Sequence, residues 1–152
     1  MIRILFTCHG NICRSTMAEY VMKHLVHKAG LDEKFYIDSA GTSREELGNP
    51  VHYGTRKKLT QMGVFCGDHR ARQMTRDDYN GFDLLIGMDK ANIRNMTRIC
   101  GGDTDGKIRL LLDYAYGGEV ADPWSTGDFD ATWRDVYAGC VGLMKSLGFE
   151  SM

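Results

Sequence analysis

The sequence predicts an α/β fold, a small four-stranded parallel sheet with helices covering both faces, and three observations carry that reading. Four short apolar runs, at 2–7, 35–39, 83–87 and 108–112, are dominated by Ile, Leu, Tyr and Phe, the composition of strands buried on both sides. Helix-period patterns fill the stretches between them, as parallel strands joined by crossovers require. Gly, Asn and Pro punctuate the joints.

Taken in order, Ile2-Arg3-Ile4-Leu5-Phe6-Thr7 reads as the first strand. Cys8-His9-Gly10-Asn11-Ile12-Cys13-Arg14-Ser15 follows as a loop, and Met17, Tyr20, Val21 and Leu25 then recur at helical spacing until Gly30. The second strand, Phe35 to Ser39, is closed by Ala40-Gly41. Residues 42–49 are polar and read as a surface loop. Pro50 is placed to open a helix that runs towards Met62 and stops at Gly63, with Val51, Leu59 and Met62 facing inward and Arg56-Lys57-Lys58 on a solvated face. Thr75 and Asp78 form a capping pair for a short helix through Tyr79, broken at Asn80-Gly81. Asp83 to Gly87 is the third strand.

A helix starts at Asp89 and turns Ile93, Met96, Ile99 and Cys100 to one side before Gly101-Gly102 ends it. Asp89 reads either as its cap or as a residue lining the site and bonded to the Asp122 loop, the cap being the simpler choice. Ile108 to Leu112 is the fourth strand. The last helix is read from Phe129, Trp133, Tyr137, Cys140, Met144 and Leu147, which step by three or four. His24, His27 and His52 fall on exposed helix faces.

With 152 residues, 43% of them hydrophobic, the chain is expected to form one domain spanning 1–152. A net charge of −1 with scattered basic residues argues against nucleic acid and anionic membrane surfaces as partners. The first residues enter a strand directly, which does not fit a signal peptide, and no apolar run reaches spanning length; a cytoplasmic home is expected. Five cysteines at irregular spacing argue against a disulfide framework.

The chemistry concentrates in the loop at 8–15. A helix N-terminus leaves amide groups unpaired and carries the positive end of the dipole, so an anion is stabilised there. Cys8 at that place is a nucleophile candidate, and Arg14 can grip two oxygens of a tetrahedral oxyanion in a fork that Lys cannot copy. Gly10 and Asn11 suit a tight curve of inward amides, and Ser15 can donate to the Cys8 sulfur. A zinc site fits poorly, because Cys8 and Cys13 lack a second cysteine pair and zinc has no use for Arg14; no metal is expected. An ester attacked by a thiolate needs its leaving oxygen protonated, and Asp122, stiffened by Pro123 in a glycine-rich loop past the fourth strand, is the candidate acid.

The segments CHGNICRS at 8–15, DSAGTS at 38–43, GNP at 48–50, HRARQ at 69–73, MD at 88–89 and DPWSTG at 122–127 together resemble the low molecular weight protein tyrosine phosphatases, over nearly the whole chain. The resemblance implies a flavodoxin-like three-layer sandwich, no cofactor, and phosphotyrosine-containing proteins as substrates, acted on by a monomer with weak self-association at most. It implies that Cys8 forms a phosphocysteine and that Arg14 clamps the phosphate. Asp122 would act as acid and then base. His9, Gly10, Asn11, Ile12, Cys13, Arg14 and Ser15 would form the phosphate-binding loop, with Asn11 and His69 bracing it and Pro123 supporting the acid. Cys13 would form a reversible disulfide that protects Cys8, or else be a small buried side chain.

Three departures from the family pattern are visible. Arg44-Glu45-Glu46 stands where many relatives place an aromatic residue, so Glu45 would line the substrate cleft. Trp124-Ser125 replaces the adjacent tyrosines of many animal relatives, leaving Trp124 as an aromatic wall for a phosphorylated ring. Thr16 stands where proline is common. Ile12 occupies a position where protein-arginine phosphatases tend to have Thr, which favours phosphotyrosine. Arsenate reductases share the loop, but the thioredoxin-coupled kind needs two closely spaced downstream cysteines, which Cys66 and Cys100 do not supply. A phosphoryl carrier would have no need of Arg14 together with Asp122.

Overall fold

The computed structural model describes residues 1–149. Its strands are β1 (Ile2–Cys8), β2 (Phe35–Gly41), β3 (Leu84–Gly87) and β4 (Ile108–Leu110), all parallel and ordered β2-β1-β3-β4. The helices are α1 (Arg14–Lys28), α2 (Tyr53–Gln61), α3 (Asp78–Gly81), α4 (Lys90–Cys100), α5 (Pro123–Thr126) and α6 (Phe129–Ser146). The expected four-stranded parallel sheet is present.

The unbroken apolar run of β1 follows from its central position. Successive side chains point to opposite faces, so Ile4 and Phe6 join one core with α1 and α6 while Leu5 joins another with Met74, Leu85, Met96 and Cys100 beneath α4. All three β1 residues are fully buried. Both faces of the sheet are therefore covered, which places the loop after β1 at the carboxyl edge of the sheet, between the loops that follow β2 and β4.

Several expectations are corrected. Helix α2 begins at Tyr53, not Pro50: Pro50 bridges to Arg70, and His52 caps the helix by accepting from the Gly54 amide at 3.0 Å. Met62 lies past the helix end and is exposed, because Gly63 at φ +74° turns the chain there. Arg56 and Lys58 are not simply solvated. Arg56 donates to the carbonyls of Cys66 and Gly67, and Lys58 pairs with Asp130. β4 ends at Leu110; Leu111 and Leu112 stay buried but in a 3₁₀ turn. Pro123 opens a short helix where a loop was expected.

The inward stripe of α6 is displaced by about one position from the aromatic pattern. Thr132, Val136, Gly139, Cys140, Leu143 and Met144 are buried, whereas Trp133 and Tyr137 stack on each other at 5.4 Å along the flank. Close packing decides this. A Cβ on Gly139 would lie 2.4 Å from Leu111 Cγ, so the helix meets the Leu111–Tyr114 turn along its glycines and the large rings are turned aside.

Candidate active site

Cys8 ends β1 and is 4% exposed, at the floor of a cavity of about 180 Å³. Cys8, His9, Gly10, Ile12, Cys13 and Arg14 line it from the loop, Glu45 and Glu46 from the segment after β2, and Asp122 and Trp124 from the segment after β4. The loop's carbonyls are tied outward: Cys8 O accepts from Thr42 N at 2.9 Å, His9 O from Ser43 N at 3.1 Å and Ile12 O from His52 N at 2.9 Å. Asn11 takes the left-handed conformation, φ 61°, among the described residues the only one without glycine's freedom to do so. That conformation reverses the chain within the loop, so that Arg14 and Ser15 can open α1 beside Cys8.

A hydrogen-bond chain fixes the sulfur's partner. Asn11 Nδ2 donates to Ser15 Oγ at 2.9 Å and to Ser39 Oγ at 3.0 Å, and Ser15 Oγ lies 3.0 Å from Cys8 Sγ. An amide nitrogen can only donate, so the Ser15 hydroxyl proton is free to point at the sulfur. Asn11 Oδ1 in turn accepts from His69 Nε2 at 2.7 Å and from Arg72 N at 3.1 Å. Ser39 donates to Glu19 Oε1 at 2.6 Å, and Tyr20 Oη accepts from His69 N at 3.1 Å. His69 is thus hydrogen-bonded to Asn11 within the loop. Glu19, Asp38 and His69 are the one cluster of metal-ligating type among the described residues, and each is already engaged, by Ser39 and Lys23, by Arg72 and by Asn11 respectively.

Arg14, with a 5% exposed side chain, is held by Asp89 at 2.9 Å and by the Val120 carbonyl at 3.4 Å, and its Nη2 lies 3.6 Å from Asp122 Oδ2. Burial alone would weaken its hold on the proton, but Cys8, Asp122 and Asp89 outweigh that and raise its pKa above the usual guanidinium value. Asp89 combines two roles that sequence reading set against each other. Its Oδ1 caps α4 by accepting from Asn92 N at 2.7 Å while Oδ2 holds Arg14. It makes no bond to the Asp122 loop; that loop is tied instead by Val120 N to Met88 O at 2.9 Å.

Asp122 Oδ1 accepts from Trp124 N at 3.0 Å, which leaves Oδ2 on the side of Arg14. Pro123 is buried directly after it. Trp124, 69% exposed, stands at the rim with His52 edge-on at 6.0 Å, and His52 also stacks on Phe129 at 5.6 Å. His52 was expected on an exposed face; it is half-buried in this aromatic group. Cys13 is a free, buried thiol. Burial, and then the neighbouring Cys8, push its pKa up to about 12, so it stays protonated at neutral pH.

Ser39 and Glu19 were not singled out from the sequence, and Glu46 was named there only within the Arg44-Glu45-Glu46 departure, not as a residue of the cavity. Ser39 lay within a segment that carried the resemblance, but nothing in the local pattern marks a helix glutamate as its partner.

A buried cysteine at a strand-to-helix loop, a guanidinium fixed beside it and a carboxyl group over the same cavity define a cysteine-dependent phosphate-ester hydrolase. The family described as "Low molecular weight phosphotyrosine protein phosphatase" matches residues 3–151. The chain is 39% identical over 153 residues to the low molecular weight protein-tyrosine-phosphatase YfkJ of Bacillus subtilis, covering 99% of this chain and 98% of that one. It is 37% identical to the low molecular weight phosphotyrosine protein phosphatase of Gallus gallus, covering 94% of this chain and 91% of the relative. The crystal structure of YfkJ superposes with a TM-score of 0.93, covering 97% of this chain and 94% of that one. That of a low molecular weight protein tyrosine phosphatase from Streptococcus pyogenes gives 0.88 at 38% identity, covering 97% and 93%. The chain belongs to the low molecular weight phosphotyrosine protein phosphatase family.

Proposed function

We propose that the chain hydrolyses phosphotyrosine in proteins, and aryl phosphates, by two in-line displacements at Cys8. The observation that supports this most is the convergence of Cys8, Arg14 and Asp122 on one cavity, with Ser15 Oγ 3.0 Å from the sulfur. In the first displacement the Cys8 thiolate attacks phosphorus, the bond from phosphorus to the tyrosyl oxygen breaks, and Asp122 gives its proton to the departing oxygen. Arg14 and the loop amides stabilise the charge on the transferred group. In the second, Asp122 takes a proton from water, which attacks the phosphocysteine and frees inorganic phosphate and the thiolate. Ser15 stabilises that thiolate as it leaves.

The depth of the cleft supports tyrosine. With the sulfur on the floor, a long flat tyrosyl group brings its phosphate down to Cys8 better than a seryl group can. Ile12 and Trp124 give the ring apolar contact, and Ile12 offers no hydrogen-bond partner to the guanidinium of phosphoarginine. A thiolate nucleophile has to be kept reduced, which favours a cytoplasmic setting.

The test is stopped-flow release of phenol and phosphate from an aryl phosphate between about pH 5 and 7, where a carboxylic acid and a thiolate can coexist. Turnover by the native chain, lost in Cys8→Ser and slowed by roughly 10²- to 10⁴-fold in Asp122→Ala, is the expected result. Full activity in Cys8→Ser would refute the mechanism.

A further inference from the structure

We propose that Glu45 and Glu46 form an acidic rim that selects phosphotyrosines flanked by lysine or arginine; this rests on the reading of the site as a phosphotyrosine cleft. Sheet order β2-β1-β3-β4 brings the segment after β2 and the segment after β4 to the central loop from opposite edges of the sheet. The β4 side supplies Trp124, an apolar wall suited to the ring. The β2 side supplies Glu45 and Glu46. A ring lying against Trp124 therefore directs the residues next to it across towards two carboxylates.

Both are anchored at the mouth. Glu46 packs on the phosphate loop itself, since a Cβ on Gly10 would lie 3.2 Å from its Cγ, and its Oε2 accepts from Asn49 Nδ2 at 2.6 Å. Glu45 Oε2 meets His9 Nε2 at 3.0 Å, with side chains 70% and 55% exposed. A solvent-facing pair of that kind contributes little and is readily exchanged for a substrate cation. Glu45 Oε1 has no partner among the described residues, so a lysine can be met without breaking the pair with His9.

The balance of charge fixes the sign of the preference. Arg14 is the one arginine or lysine lining the cavity, and it is buried, committed to Asp89 and to the phosphate. The lining acids are Glu45, Glu46 and Asp122, and the only other group there able to carry positive charge is His9. Once a phosphate has neutralised the floor, the mouth carries excess negative charge, which attracts a flanking cation and repels a flanking acid.

The experiment uses three short peptides that differ only in having Lys, Ala or Glu on either side of one phosphotyrosine. Equilibrium binding is measured on Cys8→Ser protein and kcat/KM on the native chain, both at low salt. Binding in the order Lys, Ala, Glu is expected, with the Lys peptide favoured over the Glu peptide by about tenfold, as a few exposed charge pairs allow. That ratio contracts to within about twofold at high salt and when E45Q and E46Q are added together. Equal binding of the Lys and Glu peptides, or a ratio indifferent to E45Q and E46Q, overturns the proposal. A lysine preference in binding without turnover of any peptide would support the rim and refute the phosphatase reading, whereas turnover without preference would refute only the rim.

Discussion

At the scale of single residues, the site is a set of polar atoms with few free valences. Ser15 Oγ accepts a hydrogen bond from Asn11 Nδ2 and is left to donate its own to Cys8 Sγ. In the proposed mechanism the sulfur leaves as a thiolate, and Ser15→Ala removes a hydrogen bond to it worth about 1.5–3 kcal/mol. A drop in kcat of roughly 10- to 100-fold is expected, seen by steady-state assay with phosphate release slowed more than phenol release. Asp89 holds Arg14 and also caps α4. Asp89→Asn keeps an oxygen for the cap but loses charge from the Arg14 contact, so KM for an aryl phosphate should rise about tenfold with thermal stability nearly unchanged; a large fall in Tm would assign Asp89 to folding alone.

Residue chemistry was legible where it was contiguous. Cys8, Asn11, Arg14 and Ser15 lie within one loop, so their spacing already implied a curl around an oxyanion, and the positive φ of Asn11 matches what that curl requires. Asp89 caps α4, Ser39 belongs to β2, and Glu19 lies further along α1. Their partners are chosen by strand order and helix packing, which local pattern does not encode.

At the scale of elements, the loop after β1 keeps its position through close backbone approach. A Cβ on Gly41 would lie 2.8 Å from His9 O and 3.3 Å from Asn11 N, and neither backbone atom can swing away. Gly41→Ala should destabilise the fold by about 1–3 kcal/mol and cut kcat/KM at least tenfold, as urea unfolding and steady-state kinetics would reveal. The same packing logic explains where pattern reading failed. Six side chains at helical spacing marked a face of α6, but the 3₁₀ turn at Leu111–Tyr114 meets the helix along Gly139 and Gly142, while the boundary near Pro50 follows its bridge to Arg70 and the His52 cap.

The N-cap and second turn of α1 also carry a pH dependence. Burial and Cys8 raise the Cys13 pKa from 9.0 to about 12, and burial raises Tyr20 from 10.0 to about 12. Between these limits the unfolded chain has lost protons that the folded chain retains, so stability is fully present below about pH 9 and declines as pH rises towards 12. Urea unfolding at several pH values should record that decline, with a shallower slope in Cys13→Ala; a flat profile would mean that the two groups are not buried as described.

At the scale of the whole molecule, a fully covered parallel sheet sends three loops to one edge, and each brings one part of the site: Cys8 and Arg14 from β1, the glutamate rim from β2, Asp122 and Trp124 from β4. The sheet and its carboxyl-edge loop could be read from the apolar runs alone, because strands buried on both faces leave that signature. Which loops face each other depends on strand order, and no single segment carries that information. The proposed mechanism passes through a covalent bond between phosphorus and Cys8. The most direct measurement is rapid acid quench of Asp122→Ala with an aryl phosphate, followed by peptide mass mapping. Phosphate found on the peptide containing Cys8, at near one equivalent and absent from Cys8→Ser, is the predicted result. Turnover with no phosphate on Cys8 at any quench time would contradict the account.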